Sequence, residues 1–444
     1  MKKNVYLIFA FLICWLSGNS IFAQSNFIQF QEFDLSNGLH VILHQNNSIP
    51  TVAINIIYHV GSKNEKPNRT GFAHFFEHLM FEGSPNMKRG DFFKNVQNAG
   101  GNNNASTSFD ETQYYEVLPS NQLELGLWLE SERMLHLKID SDGIETQRKV
   151  VKEERRQRFE NSPYGHLISD VFSNIYTVHP YQWLPIGEVQ YIDQATKDEF
   201  LDFYKHYYVP QNAVLSIAGD IDLKTAKSLV KKYFGDIPKG PLEIYRPSVK
   251  EPEHTVEIRD TSYDNIQLPA VVYAYLMPLP GTQDAYALDM LQNWLSEGKS
   301  SVLYKSLVDQ QQLAVEVEAF PYSLEDGGLF ITLGVGNVGK SAADLDKAMD
   351  VEIEKAKTIT LSEHDFEKIK NQIENEFYTR NATMHGIAYN LAEYYTLYKN
   401  TNLINTEIDK YNSITIEDLK KVANKYLRPE NRLVLYYLPK SLKK

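Results

Sequence analysis

The chain has almost no cysteine, and this scarcity limits the chemistry that it can use. Among its 444 residues the single cysteine is Cys14, which lies inside an apolar amino-terminal stretch. If that stretch is removed, the mature chain has no thiol, so disulfides, a cysteine nucleophile and a cysteine-based zinc site are all excluded. A metal site in this protein would therefore have to use histidine and carboxylate ligands.

The sequence also lacks an excess of basic residues. It contains 45 Lys and Arg against 57 Asp and Glu, which gives a net charge of −12. Because binding to nucleic acid depends on basic side chains that neutralise phosphates, we expect no nucleic-acid partner. An apolar content of 43% with 23% charged residues is instead typical of a folded globular protein, and the length favours two or more domains.

The amino terminus has the features of a secretory signal peptide. Lys2 and Lys3 form a basic region, residues 5–16 form an apolar region, and Ala23 supplies a small residue for cleavage. An uncleaved membrane anchor is the alternative, but the run is short for a hydrocarbon core about 30 Å thick. We therefore predict a signal peptide over residues 1–23 and no membrane span in the mature chain. Export to the periplasm is the expected location, with full secretion as the alternative.

Local patterns predict a mixed α/β chain. An Asn-Gly turn predicts a β-hairpin within residues 33–43, and β-rich runs predict strands at 51–60 and 213–218. Apolar residues at helical spacing predict helices near 71–81, 88–99, 122–135, 143–159 and 197–207.

A short internal repeat indicates a duplication. The run at 207–215 resembles the run at 426–434, since Tyr, Pro and Asn recur at the same relative positions after the end of a predicted helix. Two tandem homologous domains would give such a repeat. We predict them at residues 24–237 and 255–444, with a proline-containing linker at 238–254.

The segment His74-Phe-Phe-Glu-His78 is the motif that carries chemistry. On a helix, His74 and His78 project from one face about one turn apart, and Glu77 flanks the same edge. A zinc hydrolase needs nitrogen ligands, an open position for water and a carboxylate to accept the proton of that water. H-x-x-E-H is the inverzincin signature. The alternative is a pair of structural histidines around a solvated glutamate, and the short motif alone does not separate the two.

A third metal ligand has to come from another helix. The acidic stretch 152–156 is the best candidate, although a solvated and salt-bridged helix face is the usual interpretation of such a run. Helical phase separates its two acids, because Glu154 shares a stripe with Ile144 and Val151 while Glu153 falls among mostly polar residues. We therefore predict that Glu154 is the third ligand.

These residues resemble the motifs of the M16 (pitrilysin) metallopeptidases, in the short branch that includes the mitochondrial processing peptidase. Further matching stretches are residues 100–107, 114–115, 179–181, 185–187, 218–221 and 300–304. The resemblance covers essentially the whole mature chain. It implies an α+β fold with two tandem homologous domains, each a mostly antiparallel sheet packed with helices, which together form half of a clamshell chamber.

The resemblance also implies an activity and site residues. It implies a zinc-dependent endopeptidase that acts on peptides or unfolded segments, with Zn²⁺ held by His74, His78 and Glu154 and with Glu77 as the general base. Asn104, Ala105 and Ser106 would belong to an edge strand that pairs with extended substrate, whereas a flexible turn is the alternative for residues 100–104. Gln147 stands where family members often carry Glu, and its amide would tune the site without adding charge.

One departure from the family pattern concerns the second half of the chain. Complete family members carry an Arg and a Tyr there, at the positions of Val302 and Val315 in this sequence. Neither valine can donate a hydrogen bond to an oxyanion. We therefore predict the zinc-carrying subunit of a heteromeric enzyme, with a homologous partner that supplies Arg and Tyr. The alternatives are a non-catalytic structural or assembly subunit of the same family and a zinc hydrolase of non-peptide substrates.

Overall fold

The computed structural model describes residues 27–443, so the predicted signal peptide lies outside the described residues. Two β-sheets with helices packed on them make up this part of the chain. None of the helices within residues 27–443 has both the length and the apolar character needed to cross a membrane.

The first sheet has six strands in the order β1-β2-β6-β3-β5-β4. Its strands are antiparallel to their neighbours except β2 and β6, which are parallel. The strands are β1 (Gln31–Asp34), β2 (His40–Gln45), β3 (Thr51–Tyr58), β4 (Asn102–Thr107), β5 (Thr112–Pro119) and β6 (Ala213–Gly219). The helices of this half are α1 (Phe72–Leu79), α2 (Asp91–Asn98), α3 (Leu123–His136), α4 (Ser141–Arg155), α5 (Leu167–Ile175), α6 (Val189–Gln194), α7 (Lys197–Tyr207) and α8 (Leu223–Phe234).

The second sheet has five strands in the order β7-β11-β8-β10-β9. Again one neighbouring pair is parallel, β7 with β11, and the others are antiparallel. The strands are β7 (Ile258–Asp264), β8 (Ala270–Leu276), β9 (Ala314–Tyr322), β10 (Leu329–Gly336) and β11 (Arg432–Pro439). The helices are α9 (Gln283–Ser296), α10 (Ala342–Ala356), α11 (Glu363–Arg380), α12 (Met384–Tyr398), α13 (Leu403–Asn412) and α14 (Ile416–Tyr426).

The predicted duplication is visible in both topology and local structure. Apart from the additional strand β1, the two sheets have the same order of strands and place their parallel pair at the same point. In both halves a 3₁₀ turn leads into the strand, at Pro210–Asn212 and Pro429–Asn431. Asn212 Nδ2 donates to a backbone carbonyl at 2.8 Å five residues earlier, and Asn431 Nδ2 makes the equivalent bond at 3.0 Å. The predicted α+β fold with two homologous units is confirmed.

The end of one predicted helix differs from the sequence-based expectation, and the predicted domain limits stay open. The helix predicted at 143–159 ends as an α-helix at Arg155 and continues as a π-helical segment, Arg156–Glu160. Apolar spacing does not separate these two helical forms, so the sequence pattern runs through both. Residues 238–257 contain neither helix nor strand, but the exact domain limits stay a prediction.

Each half contributes one helix to the sheet of the other half. Helix α5 packs against the second sheet, where Val171 and Phe172 share a buried cluster with Val272 and Leu433. Helix α12 packs against the first sheet, and its Ile387, Ala388, Leu391 and Ala392 lie in one buried cluster with Ile42, Ala53, Ile57 and Val214. Because each sheet is covered on one face by a helix of the other half, the two halves share their hydrophobic cores.

Candidate active site

Helix α1 carries the H-x-x-E-H motif and begins at an unusual cap. Gly71 precedes the helix with a φ of 94°, a conformation that favours glycine. In place of a side chain at the cap itself, the carboxylate of Glu65 accepts hydrogen bonds from Gly71 N at 2.9 Å and Ala73 N at 2.8 Å. These two hydrogen bonds satisfy backbone N–H groups that the first turn of a helix leaves without intrahelical partners. The sequence motif alone did not identify Glu65, although an acid a few residues before the helix is the signal that could have done so.

The apolar side of α1 fixes the direction of its two histidines. Phe75 and Phe76 are fully buried and contact Phe200 of α7, with ring centroids 4.7 and 5.8 Å apart. Burial of these rings against α7 directs His74 and His78 away from that contact, toward α4.

A close backbone contact holds α1 beside α4. Gly187 lies against Gly71, so that a Cβ atom on Gly187 would be only 2.3 Å from Gly71 Cα. The guanidinium of Arg155, the last residue of α4, donates to the carbonyl of Gly187. The loop at Gly187 therefore touches the start of α1 and the end of α4, and it joins the two helices that carry the predicted ligands.

The three predicted metal ligands converge in the structure. Glu154 Oε2 lies 3.2 Å from His78 Nε2 and 3.6 Å from His74 Nε2. One ligand atom from each residue lies within 4.8 Å of the other two. Two imidazole nitrogens and one carboxylate oxygen are the donor set of many catalytic zinc sites, in which the fourth position stays open for water or substrate. The residues present thus fit a zinc ion.

The choice between the two neighbouring acids follows the predicted helical phase. The side chain of Glu154 is 19% exposed and faces the histidines, whereas that of Glu153 is 47% exposed. Glu153 Oε1 accepts hydrogen bonds from Arg156 Nη2 at 2.6 Å and Gln157 Nε2 at 2.7 Å. Only Glu154 of this pair contacts the two histidines.

Burial and proximity shape the charge state of the cluster. Burial, followed by the nearby His78, lowers the pKa of His74 to about 4 and so favours the neutral imidazole that a metal requires. The hydrogen bond with His78 lowers the pKa of Glu154, which favours the carboxylate. Burial raises the pKa of Glu77, so that this carboxylate holds a proton more readily than an exposed glutamate does.

A threonine at the end of β4 fixes the predicted base. Thr107 Oγ1 donates to Glu77 Oε2 at 2.7 Å. No sequence spacing pointed to Thr107, because the contact depends on how β4 lies beside α1. Within residues 27–443 Glu77 Oε1 has no hydrogen-bond partner, so the bond from Thr107 orients the carboxylate and leaves its other oxygen available.

The predicted substrate strand is a strand and lies at the edge of its sheet. In the described part of the chain, β4 pairs with β5 and has no partner on its other side. Asn104 and Ser106 are exposed and Ala105 is partly buried, with Ala105 opposite Tyr114 in the register. The alternative of a flexible turn does not fit residues 102–104, although pairing with substrate stays a prediction.

Gln147 contacts a second glutamate. Its Nε2 donates to Glu82 Oε1 at 2.6 Å, and its Oε1 is buried without a hydrogen-bond partner in the described chain. Arg89 also donates to Glu82. Within residues 27–443, Gln147 makes no hydrogen bond to His74, His78 or Glu154, and its proposed tuning of the site stays a prediction.

The two valines of the second half lie on different elements. Val302 is partly buried and precedes the π-helical segment Tyr304–Gln310. Val315 is 47% exposed on β9, the strand at the edge of the second sheet. The structure assigns neither residue a polar role.

Comparison with known families identifies the class that this fold and site belong to. Residues 40–182 match the family model described as insulinase (peptidase family M16), and residues 194–373 match the model described as the peptidase M16 inactive domain. The two models together span most of the chain, and the second begins within the first half, at residue 194. The chain belongs to the M16 peptidase family.

Particular relatives match this chain over three quarters or more of its length. The zinc protease PqqE of Helicobacter pylori is 32% identical, over 95% of this chain and 96% of that protein. A solved structure of a protease from Helicobacter pylori superposes with a TM-score of 0.89 at 31% identity, and covers 93% of this chain and 100% of that one. An uncharacterized zinc protease of Bacillus subtilis, YmxG, is 25% identical over 77% of this chain and 82% of that protein.

Proposed function

We propose that this protein is a zinc-dependent endopeptidase that cleaves peptides or unfolded segments of polypeptide. The observation that supports this most strongly is the convergence of His74, His78 and Glu154 to within 4.8 Å of one another, beside a buried carboxylate. The zinc proteases among the relatives support the same activity.

The residues of the site have separate tasks in this proposal. His74, His78 and Glu154 hold Zn²⁺, which when bound supplies Lewis-acid polarisation of the scissile carbonyl and of a water molecule. Glu77 accepts a proton from that water and passes it to the leaving amine nitrogen. Its hydrogen bond with Thr107 keeps one carboxylate oxygen occupied and directs the other for this transfer. The raised pKa of Glu77 suits a group that both takes and returns a proton.

Substrate would bind in an extended conformation along β4. An edge strand offers unpaired backbone groups, and a peptide that adds itself as a further strand gains affinity from backbone hydrogen bonds whatever its side chains. Asn104, Ala105 and Ser106 are the residues of this strand that we assign to substrate. Since β4 ends at Thr107, which contacts the base, peptide bound along β4 would lie next to the reacting atoms.

The test of the activity is the variant Glu77→Gln. Loss of the general base is expected to lower turnover of a quenched fluorescent peptide by about 10²–10⁴-fold. The amide leaves the metal ligands in place, so metal analysis should still find one zinc ion per chain. Turnover by this variant at the wild-type rate would refute the assignment of Glu77.

We further propose that a homologous partner completes the site. The side chains of Val302 and Val315 offer no hydrogen-bond donor, and donors at a developing oxyanion contribute about 10²–10³-fold to turnover in other hydrolases. Addition of a family member that carries Arg and Tyr at these positions should therefore raise turnover by that order. If the purified chain alone is as active as the mixture, no partner is needed.

The second candidate function is a non-catalytic structural or assembly subunit of the same family. The match of residues 194–373 to an inactive domain agrees with it for that part of the chain. The complete ligand set in the first half favours the peptidase instead. A protein that binds no zinc and remains inactive with every homologous partner would support the structural role.

For location, we propose export to the periplasm with cleavage after Ala23. The proposal depends on the amino-terminal sequence pattern. Amino-terminal sequencing of protein from the periplasmic fraction is the test, and a mature protein that retains Lys2 and Lys3 would contradict it.

A further inference from the structure

A buried ion cluster joins the turn between β4 and β5 to the turn between β9 and β10. The side chain of Lys63 is only 2% exposed, and its Nζ lies 2.9 Å from Asp110 Oδ1, 2.5 Å from Glu325 Oε2 and 2.9 Å from Asp326 Oδ2. His59 Nε2 lies 2.8 Å from Glu325 Oε2. Lys63 and Asp110 belong to the first half, whereas Glu325 and Asp326 belong to the second, so the cluster crosses between the halves.

Backbone contacts tie Lys63 to the same turn. Ser62 N donates to Ser108 O at 3.2 Å and Lys63 N donates to Phe109 O at 3.0 Å. Gly61 allows this approach, because a Cβ atom there would lie 2.4 Å from the carbonyl carbon and oxygen of Phe109. The segment 61–63 is thus closely packed on the turn through both its backbone and the lysine side chain.

The second half also contacts this turn directly. Glu325 N donates to Asp110 Oδ2 at 2.9 Å. The hydroxyl of Tyr181 donates to Asp110 Oδ1 at 2.6 Å and accepts from Asp326 N at 3.1 Å. Asp110 is therefore held by Lys63, by Tyr181 and by the backbone of the β9–β10 turn.

The turn held in this way leads into the candidate active site. Thr107 is the last residue of β4 and contacts Glu77, and Asp110 follows it in the same turn. A shift of the turn would move both the edge strand proposed to bind substrate and the contact that orients the proposed base.

Stability alone is a weak explanation for such a cluster. Burial of charges costs solvation free energy, and buried ion pairs are often no more stabilising than apolar side chains of the same volume. A group of charges that fixes one geometry is the better-attested use of buried ionic contacts. The position of this cluster, beside the substrate strand, suggests which geometry it fixes.

We propose that Lys63 is a positioning residue that holds the β4–β5 turn, and through it the edge strand β4 and the Thr107–Glu77 contact. The second half contributes none of the three proposed metal ligands. In this proposal it acts on catalysis through Glu325 and Asp326, which hold Lys63 and the β4–β5 turn in place. The proposal rests on the peptidase function proposed above, but its structural part can be measured without activity.

The experiment uses the full chain, with its partner if one is required, and compares Lys63→Met with Lys63→Arg. A control variant, Arg432→Met, removes a buried cation that pairs with Glu257 and Asp350 in the second half. Three quantities are measured for each folded variant: hydrogen exchange of residues 102–107, kcat and KM for a quenched peptide, and zinc content.

Lys63→Met is expected to speed hydrogen exchange in residues 102–107 and to lower kcat/KM by about 10–100-fold, as displacement of positioned groups does elsewhere. Lys63→Arg should restore most of both, because it keeps the cation. Zinc content should remain that of the wild type in all variants. Arg432→Met should leave kcat/KM and exchange in β4 unchanged, even where it lowers stability.

The contrary results are equally definite. A folded Lys63→Met protein with wild-type kcat/KM and wild-type exchange in residues 102–107 would overturn the proposal. Faster hydrogen exchange throughout helices α5 and α12 as well as β4 would also overturn it, because the ion cluster would then stabilise the contact between the halves without positioning β4 in particular. If the wild type itself has no peptidase activity, the peptidase function fails, while the exchange measurement still tests the positioning of β4.

Should Lys63→Met fail to fold, Asp326→Asn and Thr107→Val test the two ends of the same connection. Asp326→Asn removes one charge of the second half and keeps its size, and it should reproduce the faster exchange in β4. Thr107→Val removes the hydrogen bond to Glu77 without touching the ion cluster, and it should lower kcat more than it changes KM. Wild-type behaviour of both variants would also overturn the proposal.

Discussion

The two sheets of this protein have one topology and two different chemistries. In the first half, the helix after the third strand of the chain is α1, which carries His74, Glu77 and His78. In the second half, the helix after the equivalent strand β8 is α9, whose sequence contains no histidine. Its Leu288, Leu291 and Leu295 are fully buried in the second core. The packing that maintains the fold occurs in both halves, whereas the predicted metal ligands, within residues 27–443, occur in one.

The first prediction concerns the largest difference between the halves, the proposed metal site. Glu154→Gln should lose zinc and lower turnover by more than the ~10–100-fold typical of residues that only support metal ligands. The same change at the adjacent Glu153, which is paired with Arg156 in solvent, should leave both zinc content and turnover close to the wild type. Loss of zinc in the Glu153 variant, or retention of zinc in the Glu154 variant, would contradict the assignment of Glu154 as the third metal ligand.

The second prediction concerns α5 and α12, the helices that pack on the sheet of the other half. It compares their contributions to the free energy of unfolding. Phe172→Ala in α5 removes a fully buried ring and should lower the free energy of unfolding by about 3–5 kcal/mol. Leu391→Ala in α12 should cost about 2–5 kcal/mol. Urea unfolding monitored by circular dichroism and by tryptophan fluorescence measures both. Because each helix covers the sheet of the other half, the two signals should change in one transition, and two separated transitions would mean that the halves are independent.

The third and smallest effect is on the contact between the halves at low pH. Burial alone would raise the pKa of Glu325, but the hydrogen bond with His59 and the charge of Lys63 bring it down to about 2. The pKa of Asp326 is lowered to about 2 in a similar way, by His179 and Lys63. A carboxylate with a lowered pKa in the folded state contributes stability above its unfolded pKa, and that stability is lost as the pH falls through the folded value.

Unfolding should therefore become easier as the pH is lowered from about 5 to about 2, the interval between the ordinary carboxylate pKa values and those of the cluster. The measurement is the urea midpoint across this range. Asp326→Asn removes one of the two linked groups, so its midpoint should fall less steeply with acid. A variant with the same pH slope as the wild type would show that Asp326 contributes nothing to the linkage.

Much of the metal cluster could be predicted because its information is local. The spacing of His74 and His78 depends only on the period of one helix, and the helical phase of Glu154 separates it from Glu153. The structure then brings these three residues into contact. The duplication was also visible, because the turn before β6 and the turn before β11 both need Pro and Asn for their backbone conformation.

What sequence reasoning missed depends on contacts between distant segments. Thr107 and Lys63 have no characteristic spacing to the motif, since their roles arise from the way β4 lies on α1 and the β9–β10 turn lies on Asp110. The partner of Gln147 was missed for the same reason, because Glu82 approaches it from a different element. The packing of α5 and α12 on the sheet of the other half could not be predicted from apolar periodicity. Periodicity shows that a helix has a buried face, but it does not show which sheet covers that face.

The exchanged helices have a consequence for how the chain is made and how it arose. When the ribosome has synthesised the first half, one face of its sheet is not yet covered, because residues 384–398 follow β3 by more than three hundred residues. Contacts over such a distance along the chain slow folding and expose apolar surface to aggregation. In an ancestral protein with one half alone, the same face of the sheet would have been uncovered. Two copies could have covered it by exchanging helices, as domain-swapped dimers do. In those terms, the present chain has the arrangement of a domain-swapped dimer whose two copies are joined end to end.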